Sequence, residues 1–177
     1  MKMKTIVLYK SKYGHAKTYA EMIASRLEAK SYDIKDWKKA EIQKADLIIF
    51  GSGVYIGKIN HIQKALRLFS DQQLVIFACG GELEDETTLA RLKETNLTEP
   101  KYQDLPFFYL PGGMDLSKVK GLMKLMLSMI QSMLAKKTNR TEEEERFYQQ
   151  FHQASYYVDA RYIEPLVAYC QNIKKLP

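Results

Sequence analysis

At 177 residues, with 46% hydrophobic and 27% charged side chains, the chain is long enough to bury one substantial core without staples. Its two cysteines, Cys79 and Cys170, form no Cys-x-x-Cys pair, and its 3 histidines form no cluster of zinc spacing, which argues against a structural metal and for a reducing, cytoplasmic compartment. The net charge of +6 and pI of 9.1 suit anionic partners, but the lysines are scattered and no nucleic-acid motif accompanies them, so no nucleic-acid partner is expected.

Met1 to Thr5 lead directly into an apolar run too short for a signal peptide, and no stretch reaches the roughly 20 apolar residues of a membrane span. Lys4 to Tyr9 has the continuous apolar character of a buried parallel strand. It stops at Lys10-Ser11-Lys12-Tyr13-Gly14, and a helical pattern begins at His15, with Ala20, Ile23, Ala24 and Leu27 on one face. A strand that ends in a glycine-bearing loop and opens a helix forms an anion site, because the first-turn N–H groups point outward and the helix dipole favours negative charge there.

A short second strand is expected over Tyr32 to Asp36 and a helical turn over Lys38 to Gln43. Asp46 to Phe50 gives a third strand, ending in a loop Gly51-Ser52-Gly53-Val54-Tyr55-Ile56-Gly57. A helix follows with Ile59, Ile62, Leu66 and Phe69 on one side. Leu74 to Ala78 is the fourth strand, before Cys79, Gly80 and Gly81; a polar helix from about Asp85 to Thr95 and a fifth strand, Phe107 to Leu110, come next. Strands alternating with amphipathic helices imply a doubly wound parallel sheet, whose ligands lie beyond the carboxyl ends of the strands. Three of those ends carry glycine loops.

The first loop lacks Gly-x-Gly-x-x-Gly, so a dinucleotide site is not expected. Gly53 to Ile59 is one residue short of a Walker A loop and lacks its Ser or Thr. A mononucleotide with one phosphate fits better, its phosphate on the first loop and its ring between the second and third. Tyr55 is an aromatic placed to stack on that ring, or a lid aromatic at the surface.

Those three loops make the chain resemble the flavodoxin-like FMN proteins, and Gly112-Gly113-Met114 with the long apolar helix after the fifth strand resemble, within them, the flavodoxin-type (menaquinone-dependent) protoporphyrinogen oxidases more than short flavodoxins. Tyr9 to Lys17 stands at the phosphate loop, typically Ser/Thr-x-x-Gly-x-Thr; Gly51 to Gly57 stands at the first ring loop; and Cys79-Gly80-Gly81-Glu82-Leu83 stands at the second. The resemblance implies a five-stranded sheet of order 2-1-3-4-5 in a single domain, with residues 114–158 inserted before the last helix. It implies FMN held by Ser11, Lys12, Tyr13, Gly14, His15, Ala16, Ser52, Gly53, Val54, Tyr55, Ile56, Gly57, Cys79, Gly80 and Gly81, with no catalytic acid or base assigned. The activity it implies is oxidation of protoporphyrinogen or a similar apolar substrate, with electrons passed to a quinone. A soluble electron carrier or a flavin-free binding module of the same fold are the alternatives. Ala16 departs from the pattern where a hydroxyl is usual, a loss of about 1.5–3 kcal/mol if its partner is charged.

From Leu116 to Lys137 the spacing predicts one helix with Val119, Leu122, Met123, Met126, Leu127, Ile130, Met133 and Leu134 on one face and Leu125 and Met129 flanking it. A Met-rich face beside lysines suits a membrane surface at the inner face, an apolar substrate or a partner; packing on its own domain or in a homodimer is equally open. Thr141-Glu142-Glu143-Glu144 predicts a capping box, Asp159 a cap, and Tyr162 to Lys174 the last helix, with Pro165 in its first turn.

Overall fold

The computed structural model describes residues 3–81 and 86–173. Five strands run parallel: β1 (Thr5–Lys10), β2 (Lys30–Asp33), β3 (Leu47–Tyr55), β5 (Gln73–Gly80) and β6 (Phe107–Pro111), in the order β2-β1-β3-β5-β6. A two-residue strand β4 (Lys58–Ile59) pairs antiparallel with the end of β3. Counting the parallel strands alone, this is the expected order 2-1-3-4-5.

The sheet is buried on both faces because alternate residues of each strand supply opposite cores. Ile6, Leu8, Ile48, Phe50 and Ile76 join one cluster; Val7, Leu47, Ile49, Val75 and Phe77 join the other. Helices α3 (Ile62–Leu68) and α4 (Glu86–Asn96) cover the first face through Ile62, Ala65, Leu66 and Leu92. Helix α1 (His15–Arg26) covers the second through Ala16, Tyr19, Ala20 and Ile23, together with α7 (Glu164–Asn172) through Leu166, Val167 and Cys170. A four-residue helix α2 (Lys39–Ile42) precedes β3. The chain leaves β1 toward β2 on one side and returns to β3 on the other. The switch point therefore lies between the ends of β1 and β3.

Several expected boundaries move. The second strand starts at Lys30 rather than Tyr32. Residues 51–57 are not a loop: β3 runs on to Tyr55 and turns back into β4, so Ile59 lies in a strand and not on the following helix. Gly51 and Gly53 lie in the ladder, Gly51 between Tyr9 and Phe77 and Gly53 opposite Cys79, while Gly57 belongs to the turn. Cys79 and Gly80 likewise belong to β5. Glu82, Leu83 and Asp85 lie outside the described residues. The last helix is α7, preceded by a 3-10 turn Ala160–Ile163, with Pro165 in its first turn and Asp159 accepting from Arg161 N–H at 2.8 Å.

The chain divides into two compact units, residues 1–112 with 158–177, and residues 113–157. In the second, the predicted single helix is interrupted at Gly121 (φ 67°, ψ −148°), a conformation only glycine adopts freely. A 3-10 turn Leu116–Lys118 precedes it and α5 (Leu122–Lys136) follows. Helix α6 (Glu142–Gln150) opens on the predicted capping box: Thr141 Oγ1 accepts from Glu144 N–H, and the Glu144 carboxylate accepts from Thr141 N–H at 2.9 Å. The ends of the unit are closed by Met114 and Ser155, which exchange backbone hydrogen bonds of 3.1 and 2.9 Å.

Candidate FMN site

At the end of β1, Ser11 Oγ accepts the Gly14 N–H at 3.1 Å, folding the loop into a tight turn. Gly14 then takes φ 97° as the residue before α1, with nothing within 4 Å of where a Cβ would stand. That combination leaves an open cradle beneath the N-terminus of a 12-residue helix. The helix ladder begins at Thr18 N–H, which donates to Gly14 O at 2.9 Å, so the Ala16 and Lys17 amides ahead of it are not spent on the helix and can meet an anion. The Ser11 hydroxyl proton finds no acceptor among the described residues and can donate to the same group. A single phosphate fits this cradle.

The two neighbouring hydroxyl positions behave differently. Ala16 is 2% exposed and its methyl packs in the core with Ile23 and Val167, so this position serves the helix–sheet contact rather than the cradle. Thr18 Oγ1 donates back to Gly14 O at 3.1 Å and is turned along its own helix. The groups left at the cradle are the Ala16 and Lys17 amides, the Ser11 hydroxyl and the positive end of the helix dipole.

Register brings the remaining candidates alongside. Lys10 is opposite Ser52, and Gly53 is opposite Cys79. The Ser52 hydroxyl, fully buried, donates to Lys10 O at 3.1 Å and ties β1 to β3; it is a strand link. Val54 packs against the core beneath. Tyr55 folds back across Gly53, its hydroxyl 3.0 Å from where a Cβ on Gly53 would be. A side chain at 53 would push that ring away. Tyr55 also meets Tyr13 at 6.2 Å between ring centres, and the Lys12 ammonium stands 5.2 and 5.8 Å over the two rings. This gives one cation beside two aromatic faces at the mouth of the cradle, a setting for an anionic ligand with a planar ring.

Burial, with Tyr13 and Cys79 nearby, pushes the Tyr55 hydroxyl up to about 12, so it stays a neutral donor at physiological pH. Burial alone pushes the Cys79 thiol up to about 12, which leaves no thiolate nucleophile. Gly80 lies under the Tyr109 ring and Gly51 under the Phe77 ring, with prospective Cβ contacts of 2.1 and 1.8 Å. These two glycines admit core aromatics, not a ligand. Gly112, past β6, has Cys79 Sγ at 2.7 Å and His15 Cβ at 3.0 Å from its prospective Cβ; its lack of a side chain lets the ends of β5 and β6 approach the first residue of α1. Gly81 follows β5 half-buried.

Ile56 and Gly57 form the β3–β4 turn with φ 50° and 72°, the pattern of a type I′ hairpin. Ile56, a β-branched residue in the left-handed region, is 72% exposed at the tip. Sequence reasoning missed Asn96, whose buried amide grips this turn; only its isolated polar position at the end of an apolar helix face hinted at it. Among the described residues no group of His, Cys, Asp and Glu is arranged for a metal.

No curated protein matches the chain. Solved structures resembling it include a flavodoxin from the domain Archaea (20% identity, 63% of this chain and 85% of that one, TM-score 0.45). A flavodoxin, WrbA-like protein from Agrobacterium tumefaciens is 19% identical, with 63% and 83% covered and a TM-score of 0.47. A flavoprotein from Bacteroides uniformis ATCC 8492 is 15% identical, with 86% and 100% covered and a TM-score of 0.48. At these scores the likenesses carry no functional weight. The sequence itself matches the family model described as "Flavodoxin domain" over residues 6–141, most of the chain and all three strand ends just described. The chain belongs to the flavodoxin domain family, and its cofactor is FMN.

Proposed function

We propose that this protein is an FMN-dependent oxidoreductase that oxidises protoporphyrinogen or a similar apolar substrate and passes the electrons to a quinone. Bound FMN supplies the redox chemistry, accepting and releasing electrons at its ring. The chain's own residues supply binding and environment. In this reading Ser11 and the first-turn amides of α1 hold the phosphate, with His15 and Ala16 in that turn. Lys12 contributes positive charge at the mouth. Gly53, Val54, Tyr55, Ile56 and Gly57 border the ring on one side, and Cys79 and Gly81 on the other, the space at Gly80 being taken by the Tyr109 ring. Tyr55, lying across Gly53 and protonated, shields the ring from water and offers an O–H donor.

The observation that carries the apolar-substrate half is on α5. Leu122, Leu125, Met129 and Met133 are 82, 60, 68 and 64% exposed and recur at helical spacing, forming one uncovered stripe. Residues 116–141 hold Lys118, Lys120, Lys124, Lys136, Lys137 and Arg140 and no acid, and without these six the chain has 21 basic against 21 acidic residues. Lys118, Lys137 and Arg140 pair with Asp115, Glu144 and Glu145; Lys120, Lys124 and Lys136 have no carboxylate partner among the described residues. Such a stripe with unpaired lysines fits peripheral contact with an anionic, quinone-bearing membrane, residues 116–137 lying on it. No described helix is long and apolar enough to cross a membrane.

Purified protein titrated with FMN should develop a bound-flavin absorption spectrum, then oxidise protoporphyrinogen anaerobically with a menaquinone analogue as acceptor. FMN binding with no such oxidation refutes the substrate assignment. Fast electron exchange with a flavodoxin reductase in that same sample would select a soluble carrier instead, and a dimer by sedimentation would assign the stripe to self-association.

A further inference from the structure

Asn96, the last residue of α4, is 2% exposed and every polar atom of its side chain is used on one task. Its Oδ1 accepts the Ile59 N–H at 2.9 Å, and its Nδ2 donates to Gly57 O at 2.9 Å and to Leu92 O at 2.9 Å. Gly57 is the second residue of the β3–β4 turn and Ile59 lies on β4, so one amide clamps the turn and the returning strand to α4. The Asn96 backbone carbonyl accepts from Gln63 Nε2 at 2.9 Å, and Lys58 Nζ donates to Thr95 O at 3.3 Å, fastening the same junction.

The turn needs such a clamp. A type I′ turn calls for φ > 0 at both central positions, where Asn-Gly is at home. Here the first position is Ile56 at φ 50°, whose β-branched side chain disfavours that conformation and is too exposed to be held by packing. Local preference therefore opposes the turn and a buried side chain from another element enforces it. We propose that Asn96 is a positioning residue: through Gly57 and Ile59 it holds the strained Ile56–Gly57 turn in the shape that receives the FMN ring. This rests on the reading above that the hairpin borders the ring.

The test compares Asn96→Asp, which keeps an acceptor for Ile59 N–H and loses the donor to Gly57 O, with the native protein; Asn96→Ser replaces it where Asn96→Asp does not fold. Affinities for FMN and riboflavin, the midpoint potential of the bound flavin, and exchange of the Ile59 amide in flavin-free protein are measured. Faster Ile59 exchange is expected, with FMN and riboflavin affinity falling together by about 10- to 100-fold, their ratio unchanged, and a shifted potential. Ser11→Ala, acting at the phosphate end, should instead change that ratio. Adding Ile56→Asn, which suits φ > 0, should restore most of the lost affinity. Faster exchange with unaltered riboflavin affinity and potential, or no rescue by Ile56→Asn, overturns the inference alone. A native protein that binds neither flavin overturns the site reading beneath it as well.

Discussion

Gly51 separates two roles for the strand-end glycines, room for a ligand and room for the core. A Cβ built there would lie 1.8 Å from Cζ of Phe77 and 2.0 and 2.1 Å from its Cε atoms. Ordinary carbon contacts are about 3.5–4 Å, so the ring would have to retreat by more than 1.5 Å or so. Phe77 is fully buried among Val75, Leu110 and Leu166, at a density that allows little such movement. Gly51→Ala should therefore cost about 3 kcal/mol, at or above the upper end for overpacking. In a domain of this size that is a fall of roughly 6–12 °C in Tm. Phe77→Leu alone should cost about 1–2 kcal/mol through the cavity it leaves. The double variant should be more stable than the sum predicts by at least about 1 kcal/mol, because the smaller side chain vacates the space the new methyl needs. Urea unfolding of the flavin-free protein, followed by fluorescence of the single tryptophan, Trp37, which packs edge-on to Phe69 at 5.9 Å, measures all four proteins. Additive effects within about 0.5 kcal/mol would refute the packing argument. A Gly51→Ala protein of native stability that binds FMN poorly would return Gly51 to the ligand site.

Ile56→Asn in the native background should raise the urea midpoint by about 0.5–1 kcal/mol equivalent, since asparagine tolerates φ 50° and Ile56 forfeits little burial; a lowered midpoint would show that the tip is held by contacts of the isoleucine. Tyr19→Phe removes the hydroxyl that donates to Pro111 O at 2.6 Å and accepts from Asp159 N–H at 3.4 Å. It leaves a buried carbonyl unpaired, so chemical denaturation should show a loss of about 1–3 kcal/mol, and an unchanged midpoint would mean that water replaces the bond.

The parallel strands and the turn from β1 into α1 were legible because they rest on local signals, whereas the strand order came with the family resemblance. Continuous apolar runs such as Ile6 to Leu8 report burial on both faces, and Ser11-x-x-Gly14 before a helical pattern reports a strand-to-helix turn. The capping box at Thr141 was legible for the same reason, since both partners lie within one turn. The functions of individual glycines and hydroxyls were not. Gly51 and Gly53 have similar neighbours in sequence, yet one admits Phe77 from the adjacent strand and the other admits Tyr55 from two residues on.

Ala16 looked like a missing phosphate ligand, whereas its methyl fills a place between α1 and the core that no local pattern announces. Ser52 looked like a ring-loop hydroxyl and is a buried link to Lys10. Asn96 stood out least and is gripped most. What the amino-acid sequence determined by itself was the alternation of elements and the cradle at Gly14, because hydrophobic period and turn chemistry act over a few residues. What only the tertiary structure decided was the hairpin at Ile56–Gly57 and the residues that hold it. A buried amide 39 positions along the chain, at the end of α4, outweighs the local preference of an isoleucine.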